Sequence, residues 1–227
     1  MDINTAFSTP LAFARMSAPE TLNAQLRELF LACEAEGPRF ANPEPYTHRN
    51  DALFESNFTL FDWPHEPIAR LRNFCWSTLY GVIGELNQYD TNALQNLHIA
   101  HESWFHVTRK GGYFGVHNHP LHSWSGVYCV CQDGDDPESD SGKLTLINPH
   151  AMHTMFIDMA THQMKAPFSM GNLPIRLEPG QLVIFPSWLL HEVTPFEPKG
   201  DGLRITVAFN ARFRMHGIEP QKSPFAA

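Results

Sequence analysis

The chain has no run of basic residues, no long apolar stretch and too few cysteines for a disulfide-built fold, and each absence removes a class of function. Lysine and arginine number 16 against 24 aspartates and glutamates, a formal net charge of −8. Binding of nucleic acid draws on a basic stripe that neutralises phosphates, so no nucleic-acid partner is expected. No apolar segment approaches the ~20 residues that a membrane-spanning helix needs, so no membrane partner is expected either. The opening MDINTAFSTPLAFAR lacks a basic stretch followed by a long apolar one and is not read as a secretion signal. The four cysteines, Cys33, Cys75, Cys129 and Cys131, are scattered through 227 residues. A chain of that length buries a sizeable core without cross-links, so free thiols in a cytoplasmic protein are expected. Cys129 and Cys131 share one face of a strand, but no second cysteine pair follows at zinc-binding spacing.

Histidine is the residue present in excess, 13 in all, concentrated between His98 and His153. Before that region the pattern is helical. Residues 19–35 place Leu22, Leu26, Leu29, Phe30 and Cys33 on one helical face, with Ser17 ahead as a cap and Gly37-Pro38 as the stop. Residues 66–86 repeat the arrangement, with Pro67 in the first turn and Ile68, Leu71, Phe74, Cys75, Leu79, Val82 and Ile83 at helical spacing. Residues 38–65, rich in proline, asparagine and aromatics, are expected to be irregular, with a short strand near Phe58–Phe61.

After about residue 97 the hydrophobic period changes to two. The segments HESWFHVTRK, YFGVHNH, WSGVYCVCQ, GKLTLINP, PIRLEPG, QLVIFPSW, HEVTPF and LRITVAFNARF are short, rich in β-branched and aromatic residues, and parted by Gly, Pro and Asp turns. They predict a mainly β fold, a jelly roll with flanking N-terminal α-helices. The expected organisation is a helical flanking region over residues 1–96, a β core over 97–213 and a tail over 214–227. The acidic stretch 132–142 is expected to be a solvated hairpin tip, since its spacing does not match an EF-hand loop. The connection 149–174, with five methionines and three histidines, is long enough either to cover a site or to pack the barrel rim.

The chemistry is sought in VHNHP, residues 116–120. Residues i and i+2 of a strand point to the same face, so His117 and His119 present two imidazoles to one point, a donor pair suited to a borderline transition metal. In QLVIFPSWLLHEVTPF, Pro186-Ser187 bends an apolar strand and His191 starts the next, supplying a third ligand from far along the chain. His122 is within reach after the bend at Pro120. In LRITVAFN, Ile205, Val207 and Phe209 take one face, while Arg204, Thr206, Ala208 and Asn210 take the other. A polar face inside a small barrel is costly unless something polar binds there. Arg204 offers a bidentate fork for a carboxylate, with the Thr206 hydroxyl beside it; an internal ion pair is the plain structural alternative. Tyr128 is a candidate partner for the same ligand, because a buried phenol needs one. Trp104 and Trp124 are expected to pack the core. His101 and His106 are five apart, so a regular strand sends them to opposite faces.

In combination, HNHPLHSWSGVYCV, GQLVIFPSWLLHEV and RITVAFN resemble the 2-oxoglutarate/Fe(II)-dependent oxygenase superfamily, in a little-characterised microbial branch, over roughly residues 100–213. The resemblance implies a double-stranded β-helix, Fe(II) held by His117 and His191, and 2-oxoglutarate held by Arg204 with Thr206 assisting. With O2, it implies conversion of the co-substrate to succinate and CO2 coupled to hydroxylation of a small-molecule or peptide substrate. The superfamily's usual pattern has Asp or Glu two residues after the first histidine, where this chain has His119. Three neutral imidazoles leave the site more positive, which favours a rival reading as a three-histidine cupin oxygenase that does not use 2-oxoglutarate. A non-enzymatic jelly roll that binds a metal or ligand is a third reading. Neither the primary substrate nor the oligomeric state is written in the sequence, and a homodimer stays open.

Overall fold

The computed structural model describes residues 1–134, 136–150 and 156–215. In chain order the elements are β1 (Ala12–Arg15), α1 (Glu20–Ala35), β2 (Leu53–Glu55), α2 (Glu66–Asn87), α3 (Thr91–Gln95), β3 (Leu97–Thr108), β4 (Phe114–His117), β5 (Trp124–Gln132), β6 (Leu144–Leu146), β7 (Leu173–Ile175), β8 (Gln181–Pro186), β9 (His191–Val193) and β10 (Arg204–Met215). All strand pairs are antiparallel. They form a six-stranded sheet in the order β1-β8-β5-β10-β3-β2 and a four-stranded sheet in the order β4-β9-β6-β7. Their packing face to face makes the jelly roll that the alternating pattern predicts, in the double-stranded β-helix form that the resemblance implies.

Period-two alternation explains the layering. On β10 the outward Ile205, Val207 and Phe209 join Phe105 and Val107 of β3 in a core shared with α1 and α2, to which Leu22, Leu26, Phe30, Leu71, Cys75 and Leu79 contribute. Phe30 stacks on Phe105 with centroids 4.2 Å apart and planes at 7°. The inner face of the same sheet meets the smaller one through Cys129, Val183 and Phe185 on one side and Leu144, Leu146 and Ile175 on the other. Gly126 of β5 lies opposite Phe209, whose ring would come within 2.3 Å of a Cβ there. Glycine is required by that close approach.

Several expectations need correction. The short strand expected near Phe58–Phe61 is instead β2, and Leu60–Asp62 forms a 3-10 turn. The turn is fixed because the Phe61 N–H donates to Ser103 Oγ at 2.8 Å while its ring packs against Trp76 and Phe209. Ser17 does not cap α1; Pro19 stands at the cap with φ −77° and no side-chain bond, a torsion proline already favours. Residues before 97 are not only a flank, for β1 and β2 close the two edges of the large sheet. The strand β10 runs to Met215, two residues past the expected core boundary, and 216–227 lie outside the described residues. The cysteines are free and buried. No helix among the described residues is long and apolar enough to cross a membrane.

Candidate active site

The strand β4 ends on His117 and its partner β9 begins on His191, and the register sets these two residues opposite each other. His119 follows β4, and its backbone N–H donates to Ser187 O at 2.9 Å, which pins the HNH turn to the β8–β9 connection. The ring centroids lie 4.9 Å apart for His117 and His119, 4.2 Å for His117 and His191, and 5.1 Å for His119 and His191. One nitrogen from each ring lies within 4.8 Å of the others. Nδ1 of His117 donates to Gly115 O at 2.7 Å and Nδ1 of His191 to Leu189 O at 2.9 Å. These bonds fix the tautomer and leave each Nε2 lone pair free to meet a cation.

Burial holds the rings neutral. Desolvation, then the mutual repulsion of the cluster, pushes His119 down to about 2. The same causes bring His191 to about 3. His117 is lowered too, chiefly by burial, against the backbone bond to Gly115 that raises it. Neutral imidazoles are the form that binds metal. The donor set therefore fits a borderline divalent ion. His122 is not brought into the cluster; its Nε2 lies 3.9 Å from Glu102 instead.

Opposite the histidines, a small cavity is bounded by Arg204, Thr206, Ala208 and Asn210 of β10, with Val127, Leu144 and Phe185 as apolar walls. Arg204 is 2% exposed. Its Nη1 lies 3.5 Å from Thr206 Oγ1, and its Nε has no acceptor. No carboxylate pairs with it among the described residues. Burial lowers its pKa, offset in part by the Cys129 and Cys131 thiols, but a guanidinium stays charged and requires acceptors. Among the described residues there is no internal ion pair that would make Arg204 purely structural.

Tyr128 is corrected. It is fully buried on the helix side of β5, donates its hydroxyl to Asn23 Oδ1 at 2.8 Å and packs edge-on against Phe74. The inward positions of β5 are Ser125 and Val127, because side chains alternate along the strand.

Two polar networks carry no signal strong enough to be found from sequence. Ser125 Oγ bonds Ser187 Oγ and Asn210 Oδ1, both at 2.8 Å. Glu55 of β2, 5% exposed, accepts from Asn42 Nδ2 at 2.6 Å and pairs with Arg49 Nη1 at 2.6 Å. It lies 3.0 Å from His106 Nε2, which the Trp104 indole N–H also approaches at 3.1 Å. His101 faces the helices beside Trp76, opposite to His106 as alternation predicts. The connection 149–174 leaves β6 just after Leu146, which is paired with His191, so its base stands beside the histidines. Residues 151–155 lie outside the described residues, and Phe156 and Met159 beyond them are exposed.

Comparison with known proteins agrees with this geometry. Residues 102–210 match the family model described as "Putative 2OG-Fe(II) oxygenase". Among solved structures, a Pseudomonas putida prolyl-4-hydroxylase is similar at TM-score 0.60 and 17% identity, over 91% of this chain and 94% of that one. A Trichoplax adhaerens prolyl hydroxylase, in complex with a hypoxia inducible factor peptide fragment, gives 0.56 and 12% over 88% and 82%. HygX from Streptomyces hygroscopicus, with nickel and 2-oxoglutarate bound, gives 0.53 and 11% over 89% and 83%. No curated protein matches the sequence. Over residues 102–210, just under half of its length, the chain is similar to the 2-oxoglutarate/Fe(II)-dependent oxygenases, and the solved structures share its fold.

Proposed function

We propose that the chain is a 2-oxoglutarate- and Fe(II)-dependent dioxygenase that hydroxylates a small-molecule or peptide substrate. Iron is held by His117, His119 and His191, and 2-oxoglutarate by Arg204 with Thr206. The observation that carries this reading is the Arg204 guanidinium, buried in one cavity with the three histidines, its Nε without an acceptor and no carboxylate beside it among the described residues. A dicarboxylate that chelates the metal at one end and meets Arg204 at the other would satisfy both ends of the cavity. HygX, which holds nickel and 2-oxoglutarate, supports the choice of ligand.

When bound, iron and 2-oxoglutarate supply the oxidising chemistry, with O2 consumed and succinate and CO2 released. The chain does the rest. His117 and His191 keep their Nε2 lone pairs aimed at one point through the Nδ1 bonds to Gly115 and Leu189. Arg204 and Thr206 orient the far carboxylate. Val127, Leu144 and Phe185 exclude water from the chamber. Calorimetric titration of 2-oxoglutarate into the iron-loaded protein, with oxygen excluded, tests the assignment. Saturable one-site binding that disappears in His117→Ala is expected, and its absence would overturn the reading.

The place of His119 favours a second reading, a three-histidine oxygenase that acts on a chelating substrate without 2-oxoglutarate. In that case iron binds and 2-oxoglutarate does not, so the same titration separates the two.

A further inference from the structure

A second cleft meets the histidines from the side opposite Arg204. It opens to solvent and is lined by Asn42, Tyr46, Glu55, Phe58, Glu102, Trp104 and Asn210 as well as by His117 and His119. Its wall contains no lysine or arginine. Of its two carboxylates, Glu55 is already neutralised by Arg49 and bonded by Asn42. Glu102 is not. Among the described residues its one neighbour of opposite character is His122, 3.9 Å away, and its side chain is 47% exposed at the cleft mouth. Glu102 lies on the inward row of β3 with Trp104 and His106, two residues from the indole whose ring stands 5.7 Å from that of His119.

Asn210 is an independent pointer to a ligand. It is 2% exposed, its Oδ1 is taken by Ser125, and its Nδ2 finds no acceptor among the described residues. That donor still reaches the cleft, where an oxygen of a guest can accept from it in place of water. Asn210 sits directly across from Glu102 in the β3–β10 register, so the cleft sets a carboxylate opposite an unfilled amide donor. Tyr46, Phe58 and Trp104 line the same cleft, and aromatic surroundings favour a desolvated cation.

We infer that this cleft receives a primary substrate bearing a protonated amine, which binds Glu102 while a neighbouring carbonyl or hydroxyl oxygen of the same molecule accepts from Asn210. The inference rests on the reading of the Arg204 cavity as the co-substrate chamber, which leaves this cleft for the molecule to be oxidised. It narrows the substrate class to amines and sets anionic substrates aside.

The test uses nickel-loaded protein, in which binding is measured without turnover. Putrescine and Nα-acetyl-lysine amide are titrated beside their neutral counterparts, 1,4-butanediol and Nα-acetyl-norleucine amide, with and without 2-oxoglutarate. At least one amine should bind about tenfold or more tightly than its neutral partner, and Glu102→Gln should remove that preference while retaining nickel. Glu85→Gln, an exposed change on α2, should leave it intact. Equal binding of amines and neutral partners, no binding of either amine, or a preference that survives Glu102→Gln would overturn the inference. Because 2-oxoglutarate is titrated separately in the same samples, its failure to bind defeats the co-substrate reading, whereas lost amine preference with intact 2-oxoglutarate binding defeats only the substrate class.

Discussion

Replacing Arg204 by methionine separates the two jobs a buried arginine can do. If its charge exists for a ligand, the protein without that ligand holds a guanidinium that is 2% exposed, with Nε unpaired and Nη1 no closer than 3.5 Å to Thr206 Oγ1. Methionine keeps the length and apolar stem but removes the poorly compensated charge. Apolar replacement of buried charges is commonly neutral or stabilising by about 1–4 kcal/mol, so the variant without ligand should unfold at the same temperature as the wild type or higher. The same change removes a charge-assisted carboxylate pair. That loss costs about 2–5 kcal/mol, or a roughly 30- to 5,000-fold weaker Kd for 2-oxoglutarate. Thermal unfolding of the metal-loaded proteins, followed by anaerobic calorimetry, measures both quantities. A variant destabilised by about 3 kcal/mol or more, as expected when a needed buried partner is removed, and binding 2-oxoglutarate as the wild type does, would show Arg204 to be structural and refute the reasoning.

Tyr128→Phe deletes the hydroxyl bonded to Asn23 at 2.8 Å and should cost about 1 kcal/mol of stability with 2-oxoglutarate affinity unchanged; a tenfold weaker Kd would return Tyr128 to the site. Phe30→Ala empties one half of the stack on Phe105 and should lower stability by about 3–5 kcal/mol in a denaturant titration, whereas a loss under 1 kcal/mol would mean that α1 does not anchor the sheet. Glu55 feels burial pushing its pKa up, but bonds to His106 and Asn42 and the charges of His106 and Arg49 bring it from 4.5 to about 2. Its contribution is therefore present above the unfolded value and lost as pH falls from about 4.5 towards 2, roughly 3 kcal/mol in all. Unfolding curves over that range should show the decline in the wild type and a flatter one in Glu55→Gln, and equal slopes would contradict the network.

What the sequence reveals depends on how uneven the two faces of each strand are. LRITVAFN alternates cleanly, and the structure keeps its apolar residues against the helices and its polar ones in the cavity. VHNH has the same quality, since i and i+2 share a face whatever the tertiary context. WSGVYCVCQ is apolar on both faces because both are buried, so nothing in it says whether Tyr128 or Val127 turns inward. Residues 38–65 read as irregular with one short strand, which the sequence puts near Phe58–Phe61 and the structure at Leu53–Glu55. Glu55 is fixed by Arg49, six residues before it, and by His106, 51 residues after it, and no local period encodes a contact between a three-residue edge strand and a distant one. The four residues of β1 pair with β8 along a single edge and are too few to show a period. Asn210 was legible as an inward polar residue, but its unfilled donor becomes visible only with Ser125 in place.

In the proposed function this three-histidine site works with 2-oxoglutarate. Succinate released from 2-oxoglutarate in air, measured together with oxygen consumption, tests it most directly. Iron-loaded protein given ascorbate, whose two electrons reduce the second oxygen atom to water when no substrate takes it, should form one succinate per oxygen consumed above the ascorbate-only background, and both should cease in the iron-free protein and in His191→Ala. Protein that retains iron on the three histidines yet releases no succinate, with or without the amine compounds present, would contradict the claim.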